Sequence, residues 1–220
     1  MDTEKKKILE SMTIPGILLA VMWLIKITEW QLSISFAHWG IRPLNIEGLT
    51  GILTAPLLHA NFKHLFSNSV PFLFLGSMLY LFYPKVANIV MILSWVFTGF
   101  LVWLMARFSV HIGASGVVYA LAAFHFVSGL IKRNPGLMAL TLLVTFLYGS
   151  MVWGIFPQFF PGQNISWESH LSGLITGVIA AIWFRGEGPQ KAEYIWEDDD
   201  NEGDNVNYQE GANQNLQDYP

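Results

Sequence analysis

The sequence has 220 residues, 53% of them hydrophobic and only 13% charged, with a mean hydropathy of +0.42; a soluble globular chain carries about 25% charge. The net charge of −4 comes from one end: ten acids and one lysine follow Gly186, whereas Glu29, Glu47 and Glu168 are the only acids between Ser11 and Arg185. Basic residues cluster nowhere densely enough for nucleic-acid binding, and zero cysteines exclude a disulfide framework, a thiol nucleophile and a thiolate metal site.

A charged N-terminal segment, residues 1–11, leads into a long apolar run. No small-residue cleavage site follows that run, so it reads as a retained helix and not a removed leader. A membrane-crossing helix needs about 20 mostly apolar residues. The first candidate covers about 12–35, and its outer part, carrying Lys26 and Glu29, is expected to be amphipathic and to protrude. The stretch 36–63 is too long for a plain connection and is expected to hold local structure, with Trp39, Pro43 and Leu44 at the lipid interface. Further helices are predicted over about 64–83, 86–106, 115–131, 137–156 and 168–184. The fourth stops at Lys132-Arg133-Asn134-Pro135-Gly136, and a Pro/Gly-rich loop precedes the sixth. Residues 12–185 thus form an all-α membrane domain of six spans, and 186–220 an acidic tail whose composition predicts disorder.

Six spans place both termini on one side. That side would hold Lys5, Lys6, Lys7, Lys85, Lys132, Arg133, Arg185 and Lys191, against Lys26, Arg42, Lys63 and Arg107 on the other. The excess of positive charge predicts cytoplasmic termini in a cell (inner) membrane. The fourth helix has 17 residues, roughly 25 Å at the α-helical rise, against a hydrocarbon core of about 30 Å. Its N-terminal end is therefore expected to stop below the external surface. The irregular backbone of 109–114 would lie at that depth, which is tolerated only against protein or a water-filled cavity. A buried aqueous site at Ser115 is the expectation.

Polar side chains near the external helix ends mark the candidate chemistry, since ionisable groups inside a membrane are costly and usually functional. Ser115 lies in Gly113-Ala114-Ser115-Gly116 at the start of a helix, where free N–H groups and the positive dipole end suit an oxyanion. It could equally be a helix cap among small packing residues. His170, with Gly173 and Gly177 on its helical stripe, can approach a close neighbour and act as a base for the serine, or be an interhelical structural histidine. His64 and Asn68, four apart, share a face and can donate hydrogen bonds. With the Ser115 N–H they can form an oxyanion hole, or simply bond between helices. Tyr119, one turn after Ser115, can stack on His170 or be an ordinary packing aromatic. Glu168 is two residues before His170 and faces another way, so a Ser–His dyad is the simplest arrangement.

These residues resemble the rhomboid family of intramembrane serine proteases. The resemblance rests on His64-Leu65-Phe66-Ser67-Asn68, Gly113-Ala114-Ser115-Gly116 and His170-Leu171-Ser172-Gly173, with His59 and the run Gly116 to Leu121 as further likenesses; it spans about 51–184. It implies a six-helix rhomboid-like bundle and a serine endopeptidase cutting in or near transmembrane segments of membrane-protein substrates. Ser115 would be nucleophile, His170 base and then acid, and Tyr119 the residue that orients the base. No cofactor is implied. A Trp-Arg pair common in the family's external loop is missing; the comparable stretch reads Leu49-Thr50-Gly51-Ile52. Two alternatives stay open. One is a non-catalytic polytopic protein, a transporter or substrate-binding pseudoprotease. The other is a metalloprotease, which the absence of His-Glu-x-x-His and of any histidine pair four apart disfavours. Asn164-Ile165-Ser166 fits a glycosylation sequon.

Overall fold

The computed structural model describes residues 3–147 and 166–189. These residues fold as long helices: α1 (Thr3–Leu32), α2 (Phe62–Phe82), α3 (Ala87–Met105), α4 (Ser115–Ile131), α5 (Pro135–Leu147) and α6 (Trp167–Trp183). The only β pairing among the described residues is an isolated bridge between Ile41 and His111. The second half of the predicted fifth helix, the Pro/Gly-rich loop, Asn164 and Ile165 of the sequon, and the tail from Gln190 onward lie outside the described residues.

Three helices, α1, α2 and α3, are long and apolar enough to cross a membrane, and α4 is a shorter apolar helix of 17 residues. The distribution of side chains fits lipid rather than water outside. Leu24, Trp30, Phe66, Ile92, Leu104, Phe146, Ile182 and Trp183 are exposed, while Ser94, Thr98, His125, Ser128 and Thr176 are buried. A helix apolar all round belongs in a core or a bilayer. The chain is therefore a multi-pass helical membrane protein.

One helix start differs from expectation. α1 begins at Thr3 rather than near residue 12, its first turns supported by Lys7–Glu4 and Lys6–Glu10 pairs. α2 starts at Phe62, where the Asn61 side chain accepts the His64 N–H at 2.8 Å as an N-cap. α3 passes through a π-helical stretch, Leu93–Phe97, that buries Ser94. α1 and α2 pack along most of their length, with Trp23 Nε1 donating to Ser69 Oγ at 3.0 Å and the Pro15 ring seated on Gly76.

The C-terminal end of α1 does not stand free as an amphipathic protrusion. Glu29 is buried and accepts from Lys26 Nζ at 2.9 Å and from the Phe36 N–H at 2.6 Å; Lys26 also donates to the carbonyls of His59 and Ala60. A buried carboxylate needs such partners, and here they bind α1 to the approach of α2. The 36–63 stretch has the local structure expected of it: 3-10 turns at Ala37–Trp39, Ile46–Leu49 and Ala55–Leu57 and a helical turn at Gly51–Thr54. It is fastened to α3 by Trp103 Nε1 donating to the Asn45 carbonyl and Trp95 Nε1 to the Leu53 carbonyl. Trp39 and Leu44 are exposed, but Pro43 is buried, because the chain turns back onto α3 where the Leu44 N–H meets the Trp103 carbonyl.

Candidate active site

Among the described residues, α4 and α6 make the most extensive helix–helix contact. Small residues make this possible. A Cβ on Gly173 would strike the carbonyl of Gly116, and one on Gly177 the carbonyl of Ala120. Where these helices meet, His170 Nε2 lies 3.0 Å from Ser115 Oγ. That is within range for proton transfer between a serine and its base. The Tyr119 ring stacks on the His170 imidazole, with centroids 4.3 Å apart and planes 11° from parallel.

Ser115 is not the cap of α4. Ala114 occupies that position, without a side-chain cap, and Ser115 is the first helical residue with its hydroxyl turned to His170. Its N–H is therefore among the helix-start donors that have no intrahelical partner. Gly113 holds φ +117°, a conformation that favours glycine. Space demands glycine there too: a Cβ would be 2.7 Å from His64 Cε1. The His64 ring thus reaches over the backbone just before the serine.

His59 stands edge-on to His64, ring centroids 5.0 Å apart, and its Nε2 accepts the Ala114 N–H at 3.4 Å. Burial, with smaller contributions from His64 and Lys26 and against the pull of the Leu57 carbonyl, pushes its pKa down to about 3. A neutral ring is what an acceptor nitrogen requires. Asn68 is buried one turn further along α2, and its Nδ2 donates to the His64 carbonyl of its own helix at 3.1 Å. Glu168 turns away from His170 and pairs with Arg107 Nε at 3.4 Å.

Sequence reasoning passed over several contacts around this centre. Thr98 Oγ1 on α3 donates to Thr176 Oγ1 on α6 at 3.1 Å, and a Cβ on Gly116 would lie 3.0 Å from Thr98 Cγ2. A hydroxyl within an apolar run was the available signal. His111 meets Ser166 Oγ at 2.6 Å, and Ser166 Oγ meets Ser169 Oγ at 2.6 Å. Nothing in the spacing announced that trio, because 55 residues separate His111 from Ser166. No group of three or more potential metal ligands occurs among the described residues.

A helical membrane bundle with a serine and a histidine in hydrogen-bond contact where two helices cross on glycines defines the class. The family model of the rhomboid domain matches residues 47–187, and the chain belongs to the rhomboid family. Similar curated proteins include an uncharacterized protein of Mycobacterium tuberculosis, 34% identical over 168 residues that cover 74% of this chain and 70% of that one. An uncharacterized protein of Mycobacterium leprae is 34% identical over 169 residues, covering 74% and 67%. Rhomboid protease GlpG of Photorhabdus laumondii is 31% identical over 166 residues, covering 74% of this chain and 56% of its own.

Proposed function

We propose that the protein is an intramembrane serine endopeptidase that hydrolyses peptide bonds in or near transmembrane segments of membrane-protein substrates. The observation that carries this reading is the 3.0 Å contact between His170 Nε2 and Ser115 Oγ at a glycine-lined crossing. In this reading Ser115 Oγ attacks the scissile carbonyl while His170 Nε2 takes its proton. The protonated imidazole then gives that proton to the departing amine. Water, deprotonated by the same nitrogen, releases the acyl group from Ser115. Tyr119 keeps the ring in plane by stacking.

The developing oxyanion would be met by the Ser115 N–H, His64 and Asn68. The His64 ring over Gly113 supports its part. Asn68 holds the His64 carbonyl with one of its two amide hydrogens, leaving the other for substrate. Asn68→Ala is expected to lower kcat by about 10²–10³ with little change in KM, the usual cost of one oxyanion donor. An unchanged kcat with a lowered melting temperature would assign Asn68 to helix stability alone.

The wider reading is a six-span protein in the cell (inner) membrane, with cytoplasmic termini, the site facing the external side and Ser115 below the membrane surface. The shortness of α4 and the distribution of Lys and Arg support it. The decisive experiment compares cleavage of a model single-span substrate by wild-type, Ser115→Ala and His170→Ala protein in detergent. Both variants are expected to fold and to be inactive. Turnover by either at the wild-type rate would exclude the dyad.

A further inference from the structure

We propose that His111 is a positioning residue for this reaction, acting through the Ser166 and Ser169 hydroxyls on the seat of His170; the inference rests on the protease reading above. The direction of the hydrogen bonds follows from one fixed acceptor. His111 Nε2 lies 3.0 Å from the Arg107 carbonyl, which can only accept, so this nitrogen carries the hydrogen. In the neutral ring Nδ1 is then an acceptor, and the Ser166 hydroxyl donates to it at 2.6 Å. With its hydrogen so committed, Ser166 Oγ accepts from Ser169 Oγ at 2.6 Å.

Three further observations give the chain its purpose. Ser166 is the N-cap residue of α6, yet its side chain makes no cap hydrogen bond. A serine there ordinarily closes the helix end, so its hydroxyl is diverted to His111. His111 is itself fixed: its N–H and carbonyl both pair with Ile41, at 2.9 and 3.0 Å, and the residue is buried. Ser169 joins both halves of the dyad. It precedes His170 in the chain, and its carbonyl would be 3.1 Å from a Cβ on Gly116, the residue after Ser115. Whatever holds Ser169 therefore sets the nucleophile's helix and the base's helix together. The Arg107–Glu168 pair makes a second link between the same two segments.

The test uses the full chain in detergent. The rate of Ser115 labelling by a fluorophosphonate, and kcat and KM on a model membrane substrate, are measured for wild type, His111→Phe, Ser166→Ala, the double variant and His111→Asn. His111→Phe and Ser166→Ala are each expected to lower labelling rate and kcat about 10–100-fold with KM nearly unchanged, the scale of a displacement of up to about 1 Å at a reacting pair. The double variant should be no slower than the slower single one, because both break one chain. His111→Asn, whose Oδ1 can take the place of Nδ1, should recover most of the rate. Wild-type labelling rates in folded His111→Phe, or losses that multiply in the double variant, overturn the proposal. If His111→Phe does not fold, Ser166→Ala decides alone, and an unchanged rate overturns it. A wild-type protein that fails to label overturns the protease reading, and this inference with it.

Discussion

The α4–α6 and α1–α2 interfaces both bury glycine, but they differ in what the glycine touches. Gly173 and Gly177 meet backbone carbonyls of α4, those of Gly116 and Ala120. Gly76 meets a side chain, the Pro15 ring. Backbone cannot withdraw without moving its helix, and α4 carries Ser115 while α6 carries His170. The first interface therefore sets the distance between Ser115 and His170, and the second holds a scaffold together. Without hydrophobic attraction between helices in lipid, close packing of this kind supplies much of their association.

The sharpest way to break this comparison is one methyl group on each side of it. Gly173→Ala places a Cβ against the Gly116 carbonyl and is expected to lower kcat by about 10²-fold or more, since about 1 Å of misplacement costs that much. Cleavage assays and melting temperature measured together check this, with Ile179→Leu on the exposed face of α6 as the silent control. Full activity in Gly173→Ala would mean that the helix spacing does not set the dyad.

Gly76→Ala probes the other interface. Its Cβ would lie 2.9 Å from Pro15 Cγ, a rigid neighbour. A loss of about 1–3 kcal/mol in stability is expected, typical of overpacking, with kcat per folded molecule unchanged. A kcat loss matching that of Gly173→Ala would erase the distinction between scaffold and reaction interface.

A pH effect sharpens the comparison where the two regions join. Lys26 of α1 holds the His59 carbonyl, and His59 accepts the N–H of Ala114 beside Ser115. Burial holds the His59 pKa at about 3, below the ordinary imidazole value of 6.5. The unfolded chain therefore binds a proton that the folded chain refuses. Its contribution to stability is complete above pH 6.5 and is lost as the pH falls toward 3, by up to about 1.4 kcal/mol per pH unit. Thermal unfolding of wild type and His59→Asn between pH 7.5 and 4.5 reads this out. The variant should lose less stability over that range, and parallel curves would show that His59 titrates normally.

Much of the candidate site was legible in the sequence because its residues are costly where they stand. A histidine, an asparagine and a serine with glycines close by are costly near membrane helix ends without partners, which made Ser115, His170, His64 and Asn68 candidates; only the three short motifs taken together, in order, carried the family resemblance. The start of α4 at Ser115 was also fixed locally, by the glycines before and after it and the break at Lys132 to Gly136. Local pattern could not say which helix faces would touch. The contact of Ser115 with His170, the stack of Tyr119 on His170, the burial of Glu29 and the chain from His111 to Ser169 each depend on groups brought together from distant parts of the sequence. Hydropathy and spacing determined the helices and marked the candidate side chains; the approach of α6 to the carbonyls of α4 decided their geometry, because a hydrogen bond is set by tenths of an ångström and sequence periodicity by whole turns.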